Sequence, residues 1–229
     1  STPIKSSAAS DVYKRQEAMN VVNERKRPYI VMEGMSDRFM ATYKRPFEAK
    51  DIKVVMYAGG LHERYGLKKL TEAFMMLPQE NFRLKLFGSG PFVEKLKTKY
   101  TKKDSRIQYM GVAPNAEVVA AELDASLLVN PRPTHEEFTK YSFPSKNIEY
   151  MASGTPLLTT KLPGMPKEYY PYVFLIENES VEGYAKALER VLAQSDEELY
   201  VFGEKAKDFV LEKKNSFEQA KRVIELIKL

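Results

Sequence analysis

Short apolar runs alternate with amphipathic stretches along most of the chain, from Lys53 to its end. An apolar run that is bounded by turn residues is typical of a buried β-strand. The pattern predicts strands at 53–57, 82–87, 107–110, 127–130, 156–159 and 173–176.

Helical periodicity fills the segments between these strands. Helices are predicted over 67–77, from Phe92 onward, and over about 115–123. A further helix is predicted over 144–154, because a proline opens this segment and a glycine ends it, as helix termini favour.

The end of the chain is also predicted to be helical. Ser195-x-x-Glu198 and Ser216-x-x-Gln219 both match the capping box that begins a helix. After the second box, apolar side chains recur on one face of the predicted helix: Phe217, Ala220, Val223, Ile224 and Ile227. That face must pack against this domain or against a neighbour.

Strands that alternate with helices at this spacing indicate βαβ units and a parallel sheet with right-handed crossovers. The predicted fold class is α/β, with a doubly wound, mostly parallel, six-stranded Rossmann-like sheet and C-terminal helices. In such sheets, ligands bind beyond the carboxyl ends of the strands, where the strand order reverses. The predicted domain organisation is a leader over 1–16, the remnant of an interdomain linker over 17–50, and a ligand-binding domain over 51–229. A hinge at 23–27 precedes the strand-like segment 28–32.

The leader shows no periodicity that could bury a face, and it is left out of the fold prediction. Its last six residues, DVYKRQ at 11–16, resemble the translation of a transposon-based sequencing adapter. On that interpretation, the gene is a metagenomic fragment joined to adapter sequence where its N-terminal half should be. The alternative is a native flexible arm.

Composition narrows the possible functions. Hydrophobic residues make up 43% and charged residues 29% of the chain, an ordinary globular balance, and no apolar run reaches the roughly 18 residues of a membrane span. Cysteine is absent, which excludes disulfides and thiol catalysis, and His62 and His135 lie far apart in sequence, so no metal site is expected.

The net charge is +5, and lysines crowd into 95–103. A solvated helix face is the expected explanation, with an anionic membrane surface or a nucleic acid as alternatives. Only Tyr100 lies among these lysines, so they offer no platform on which bases could stack, and no nucleic-acid partner is predicted.

Two glycine-rich loops each follow a predicted strand. The first begins at Gly59-Gly60 and continues through Arg64, and the second is Gly88-Ser89-Gly90. Glycines let backbone amides approach a phosphate, although a tight turn uses glycine for its shape alone. The second loop supplies only the first two glycines of a dinucleotide fingerprint and is weak evidence for such a cofactor.

A third loop follows the fourth predicted strand and contains Arg132. It leads to Pro144 and a helix whose first turns carry Ser145, Lys146 and Glu149 on one face. A cation at a helix N-terminus is mildly unfavourable, and an anionic ligand would reverse that cost. A carboxylate at 149 could accept hydrogen bonds from two vicinal hydroxyls, as on a ribose. The alternative is an ordinary exposed helix pair.

These segments together resemble family 4 glycosyltransferases, which transfer a sugar from a nucleotide sugar with retention of configuration. The resemblance runs from about Pro28 to the C-terminus through five ordered blocks: AGGLHERYGL, LKLFGSGP, RIQYMGV, LLVNPRP and KYSFPSKNIEYMASGTPLL. The last block is similar to a subgroup that builds bacterial polysaccharides.

The resemblance implies the C-terminal, donor-binding half of a GT-B enzyme. In the family, two Rossmann-like domains face each other across a cleft, and the N-terminal one binds the acceptor. That half is expected to be missing here, which would leave the chain inactive alone. The resemblance implies no cofactor, a nucleoside-diphosphate sugar as substrate with UDP favoured over GDP, and a cytoplasmic location with peripheral membrane contact at the inner face.

Site residues follow from the resemblance position by position. Glu149 matches a glutamate that contacts the ribose, and Gly111 and Val112 match a loop that meets the base through its backbone. The remaining donor-binding residues implied near the diphosphate and sugar are Gly60, Gly88, Phe143 and Ser145.

The chain also departs from the family pattern. Gly60 and Tyr65 stand where the family often has an arginine and a lysine, and Tyr141 replaces a glutamate. Arg132, Lys146 and Arg64 are therefore the predicted diphosphate-binding cations, because arginine can grip two phosphate oxygens at once. No catalytic residue is assigned.

Two other functions stay open at this stage. The chain could be a non-catalytic nucleotide-sugar-binding module or one subunit of a split transferase; less favoured is a GT-B epimerase or phosphorylase. In GT-B enzymes the last helix often crosses to the N-terminal domain, so a missing half predicts that the apolar stripe near the C-terminus is exposed.

Overall fold

One parallel sheet organises the molecule. The computed structural model describes residues 30, 32, 34–36, 38–141 and 143–228. The strands are β1 (Lys53–Ala58), β2 (Phe82–Phe87), β3 (Ile107–Gly111), β4 (Leu127–Asn130), β5 (Leu157–Thr160) and β6 (Phe174–Ile176), hydrogen-bonded in the order β3-β2-β1-β4-β5-β6. Every pair is parallel. The predicted α/β fold with a six-stranded sheet is confirmed, and each strand boundary lies within one residue of its prediction.

Helices cover both faces of the sheet. They are α1 (Leu67–Met75), α2 (92–103, with a π-helical stretch at Leu96–Tyr100), α3 (Asn115–Asp124), α4 (Phe138–Tyr141), α5 (Ser145–Ser153), α6 (Val181–Leu192), α7 (Asp196–Lys213) and α8 (Ser216–Ile227). Short 3-10 helices lie at Arg38–Thr42, Glu63–Tyr65 and Lys167–Tyr172.

The sheet separates two hydrophobic cores, because successive side chains of a strand point to opposite faces. In β1, Val55 packs with α1, α2 and α6 in one core, whereas Met56 packs with α5 and α7 in the other. Both side chains are fully buried. Burial on two faces explains why β1 and β4 are nearly continuous apolar runs, whereas β2 alternates apolar residues with Arg83 and Lys85.

The two predicted capping boxes have different outcomes. The hydroxyl of Ser195 accepts a hydrogen bond from the amide of Glu198, whose carboxylate accepts one from the amide of Ser195, so the first box is confirmed. The second is wrong. Asn215 caps α8 by accepting from the amide of Glu218, while Gln219 is buried at 1% exposure. The cap therefore lies one residue before the predicted serine.

The end of the predicted linker is fastened to the domain. Arg45 donates hydrogen bonds to the backbone oxygens of Leu123, Ala125 and Gly154, at the ends of α3 and α5. The ammonium of Lys50 binds the backbone and the side chain of Asp124. These contacts lie at the amino ends of the strands. The leader over 1–16 and most of 17–37 lie outside the described residues.

The last helix presents apolar side chains to solvent, as predicted. Phe217, Ile224 and Ile227 of α8 are 61%, 53% and 77% exposed. The opposite face of α8 is turned inward and carries the buried Gln219, which hydrogen-bonds the backbone oxygen of Gly34. Within the described residues, none of the helices combines the length and apolarity that crossing a bilayer requires.

Candidate functional site

The candidate site lies at the carboxyl ends of β1 and β4. The strand order reverses there, since β1 has β2 on one side and β4 on the other, and ligands of doubly wound sheets bind at such a point. Because β1 and β4 pair directly, the loop through Gly60 and the loop through Arg132 leave the same edge of the sheet.

Backbone hydrogen bonds join the glycine loops that follow β1, β2 and β3. The amide of Leu61 donates to the oxygen of Ser89 at 2.8 Å, and that of Gly88 donates to the oxygen of Gly111 at 2.7 Å. Gly88 has φ +125°, and a Cβ there would lie 1.9 Å from the oxygen of Gly59. Glycine at 88 is therefore required for the close approach of the two loops.

Gly60 differs from Gly88 in its surroundings. A Cβ on Gly60 would lie 3.3 Å from the rings of His62 and Tyr65, so only a small shift would admit it. The backbone oxygen of Gly60 accepts a hydrogen bond from the hydroxyl of Tyr57 at 3.1 Å. Burial raises the pKa of Tyr57 to about 12, so this hydroxyl stays protonated as the donor that holds the loop.

Tyr150 fixes α5 beneath the end of β1. Its hydroxyl bonds both backbone groups of Ala58, at 2.8 Å to the amide and 3.0 Å to the oxygen. The side chain is fully buried, and burial raises the pKa of its phenol well above the usual range. These hydrogen bonds therefore fix the position of α5 relative to β1, the strand that leads into the Gly59-Gly60 turn.

The N-terminus of α5 is open. Pro144 is the N-cap, no side chain of the described residues forms a capping hydrogen bond to the first turn, and no acidic residue lies in that turn. Unpaired amides and the helix dipole at such an end favour an anion. Asn130, at the end of β4, donates to the side chain of Asn147 at 2.5 Å, which ties this first turn to the sheet.

Phe143 does not present its side chain to the site. The ring is 1% exposed and packs against Tyr169, with ring centroids 4.8 Å apart. Only the backbone at 143 is available for the role predicted at this position.

Lys146 and Glu149 form an ion pair on α5, with Nζ of Lys146 2.6 Å from Oε1 of Glu149. Glu122 of α3, which the sequence analysis did not single out, lies 3.5 Å from the same Nζ and is fully buried. Burial raises the pKa of Glu122 to about 7, against the opposing effect of Lys146. Glu122 shares the buried face of α3 with Val119, three residues earlier. A carboxylate at an apolar position of the helix is the sequence signal that could have identified Glu122 as a candidate.

The predicted arginines gather around two aromatic rings. The guanidinium carbon of Arg132 lies 5.0 Å from the centre of the Tyr65 ring, and that of Arg64 lies 4.9 Å from the centre of the Phe138 ring. The two rings meet edge to face at 6.0 Å. In the sequence, Tyr65 stands out only as a departure from the family pattern, and no local signal points to Phe138, which lies far along the chain.

The loop after β3 lies at the same carboxyl edge of the sheet and adjoins the loop after β2. Val112 is 76% exposed, and Gly111 has φ +78° with open space where a Cβ would stand. The hydroxyl of Tyr109 donates to the oxygen of Gly88 at 3.0 Å, which links this loop to its neighbour.

The predicted charged residues thus form two groups along one edge of the sheet. Arg64 and Arg132 lie with the aromatic pair, and Lys146 lies with Glu149 on α5. The turn at 59–60 connects them, because Ala58 is bound by Tyr150 of α5 and Gly60 is close to Tyr65.

The chain matches a family model described as glycosyl transferases group 1 over residues 41–228, which is more than half of its length. A segment of 112 residues is 30% identical to the proposed colanic acid biosynthesis glycosyltransferase WcaL of Escherichia coli (strain K12). That segment is 47% of this chain and 27% of WcaL.

Two solved structures share the fold. A crystal structure of S. aureus TarM, in complex with Fondaparinux, alpha-GlcNAc-glycerol and UDP, superposes with a TM-score of 0.70 at 14% identity, covering 93% of this chain and 42% of TarM. The C-terminal domain of a glycosyl transferase group 1 family protein, LpcC, from Francisella tularensis superposes with a TM-score of 0.60 at 17% identity, covering 81% of this chain and 97% of that domain. The chain therefore spans less than half of the length of WcaL and of TarM.

Proposed function

Because the chain belongs to the group 1 glycosyl transferases, we propose that it is the donor-binding domain of a GT-B enzyme that transfers a sugar from a nucleoside-diphosphate sugar. The proposed enzyme is of the retaining family 4 type, and its acceptor is a glycan or lipid-linked glycan of a polysaccharide pathway. The observation that carries the proposal is the open N-terminus of α5, beside the β1/β4 switch point, with Lys146 and Glu149 on its accessible face.

Glu149 is proposed to accept hydrogen bonds from the ribose hydroxyls of the donor. Pairing with one ammonium leaves lone pairs on the carboxylate, which has about four acceptor sites. Lys146 contacts Glu122 as well as Glu149, so its ammonium keeps an acidic partner when Glu149 binds the ribose.

The diphosphate is proposed to lie between the two groups of cations. Arg132 and Arg64 stand on one side and Lys146 stands on the other, with the backbone at Gly60 and at 143–145 facing the phosphates. Charge-assisted hydrogen bonds from guanidinium groups and an uncapped helix end are suited to phosphate oxygens. Catalysis would then consist of positioning the donor and stabilising the departing nucleoside diphosphate.

The base is proposed to meet the backbone at Gly111 and Val112, and a uridine diphosphate sugar is the favoured donor. Val112 is 76% exposed and Gly111 has open space at its Cα, so this loop can be covered by a flat ligand. Gly88 supports the loop through its hydrogen bond to Gly111.

An acceptor-binding N-terminal domain is proposed to complete the enzyme. Support comes from the superposition on a C-terminal domain that this chain covers to 97%. The exposed apolar face of α8 also supports it, because a face with Ile227 77% exposed lacks a cover in the described residues. We place the complete enzyme in the cytoplasm, in peripheral contact with the membrane.

Calorimetric titration of the full chain with UDP, GDP and their sugars tests donor binding. We expect millimolar or tighter binding of one nucleotide and at least about tenfold weaker binding by Glu149→Ala, since a hydrogen bond to a charged group contributes about 1.5–3 kcal/mol. The exposed Glu189 of α6 provides the control, Glu189→Ala. Equal binding by wild type and Glu149→Ala would remove the ribose role, and no binding by folded wild-type chain would oppose a donor site in this domain alone.

A further inference from the structure

Two guanidinium groups share one aromatic support beside the Gly59-Gly60 turn. Arg132 lies 5.0 Å from the centre of the Tyr65 ring and 5.7 Å from that of Phe138. Arg64 lies 4.9 Å from the centre of the Phe138 ring and 5.7 Å from that of Tyr65. Each cation therefore contacts both rings, and the rings themselves meet edge to face.

The loop that carries Arg132 is fixed at several points. The hydroxyl of Thr160 donates to the backbone oxygen of Arg132 at 2.5 Å, and the hydroxyl of Tyr184 donates to that of Pro131 at 2.8 Å. Gly66 packs so closely on Pro131 that a Cβ would lie 1.8 Å from its oxygen. The backbone segments that carry Tyr65 and Arg132 therefore pack tightly against each other, and this packing fixes the distance between the two side chains.

Arg64 and Arg132 differ from other cations of this domain in their charge environment. In the part of the chain that the structure describes, neither Arg64 nor Arg132 forms an ion pair, whereas Lys146 and Lys95 both do. A ring under a guanidinium orients it without neutralising its charge. Two oriented, unneutralised cations at a ligand-binding edge suit a ligand with two adjacent negative groups.

We propose that Tyr65 and Phe138 are positioning residues that hold Arg132 and Arg64 as a two-armed clamp for a diphosphate. The clamp needs the aromatic faces and not the tyrosine hydroxyl. It gives the site a preference for diphosphates over monophosphates. The identity of the ligand as a nucleoside diphosphate rests on the proposed function, whereas the clamp itself rests on the contacts above.

The test is a set of calorimetric titrations of the full chain with UDP, UMP and inorganic pyrophosphate. Tyr65→Leu should weaken UDP and pyrophosphate by about three- to tenfold and leave UMP within about twofold, given the strength of exposed cation–π contacts. Tyr65→Phe should restore wild-type affinity. Arg132→Ala should cause the same selective loss, and combining it with Tyr65→Leu should add little further.

A matched control is available at the opposite edge of the sheet. Arg45 lies 5.6 Å from the centre of the Tyr200 ring, so Tyr200→Leu removes a similar contact away from the site. It should leave all three affinities unchanged. Thermal unfolding of each variant separates loss of binding from loss of fold.

The outcomes separate the clamp from the donor site. UDP and pyrophosphate binding that Tyr65→Leu leaves intact, or a loss that extends equally to UMP, overturns the clamp while the donor site stands. Pyrophosphate binding that depends on Tyr65, without any UDP binding, supports the clamp and opposes the proposed function. Binding of neither ligand by wild type counts against both.

Discussion

The buried carboxylate of Glu122 lies 3.5 Å from Nζ of Lys146, on the neighbouring helix. The same ammonium binds Glu149 at 2.6 Å, so one cation joins a buried carboxylate to an accessible one. Burial raises the pKa of Glu122 to about 7, since the cost of desolvation exceeds the attraction of the partly exposed Lys146.

Glu122 makes the stability of the domain depend on pH. An unfolded glutamate has a pKa of about 4.3, so the folded state binds this proton more tightly. The stability that this group contributes is complete below about pH 4 and is lost as the pH rises through 7. At pH 8.5, Glu122→Gln should exceed wild type in free energy of unfolding by about 1–3 kcal/mol, and the difference should narrow toward pH 5.

Urea unfolding at the two pH values measures this difference. Glu189→Gln, at an exposed position of α6, is the control and should change the free energy of unfolding by less than about 0.5 kcal/mol. If Glu122→Gln proves less stable than wild type at pH 8.5, the carboxylate is held charged by Lys146, and the account of its desolvation is wrong.

Tyr150→Phe tests the bond between α5 and β1. The substitution removes one hydroxyl that bonds both backbone groups of Ala58, and it leaves the buried amide of Ala58 without an acceptor. We expect a loss of about 1–3 kcal/mol in the free energy of unfolding. Tyr172→Phe is the control, since that half-buried ring stacks on Phe209 at 4.3 Å and should cost within about 0.5 kcal/mol. Equal stabilities of the two variants would count against a structural role for the Tyr150 hydroxyl.

Gly66 and Gly111 separate backbone strain from steric overlap. Both have positive φ, +85° and +78°, which costs an alanine about 1–2 kcal/mol. A Cβ on Gly66 would also lie 1.8 Å from the oxygen of Pro131, whereas one on Gly111 meets nothing within 4 Å. Gly111→Ala should therefore cost about 1–2 kcal/mol and fold normally, and Gly66→Ala should cost clearly more.

Chemical unfolding of both variants compares these costs directly. Equal losses for the two glycines would mean that the loops carrying Gly66 and Pro131 separate at little cost, and the rigid placement of Arg132 would then be lost as well.

The strands were predictable because local signals agree at their ends. In β1 the apolar run stops where Gly59 begins a turn. Both faces of the strand are buried, so the prediction did not have to decide which side chains point inward. The cap of α8 was not predictable, because two neighbouring residues could each cap the helix. One is Ser216, three residues before Gln219, and the other is Asn215, three residues before Glu218. Tertiary burial of Gln219 decided between them.

The site was predictable only in part. The contact between Lys146 and Glu149 follows from spacing, since residues three apart on a helix share a face. Tyr65 and Phe138 lie in two short helices that are separated by three strands in sequence, and no local pattern encodes their contact. Glu122 is a charged residue on the apolar face of α3, and the packing of α3 against α5, which brings Lys146 close to it, accounts for its position.

The exposed face of α8 carries the last prediction. Ile224 and Ile227 are 53% and 77% exposed, so replacing both with glutamine removes little buried area and should change the free energy of unfolding by less than about 1 kcal/mol. Because both side chains belong to the exposed apolar stripe of α8 that also contains Phe217, the double variant should self-associate less than wild type in sedimentation velocity. Leu226→Gln is the control, since Leu226 is half-buried on another face of the same helix and its loss should lower stability without changing association. Cooperative destabilisation by the double variant would show instead that this face packs within the chain, and would remove the support that it gives to a partner domain.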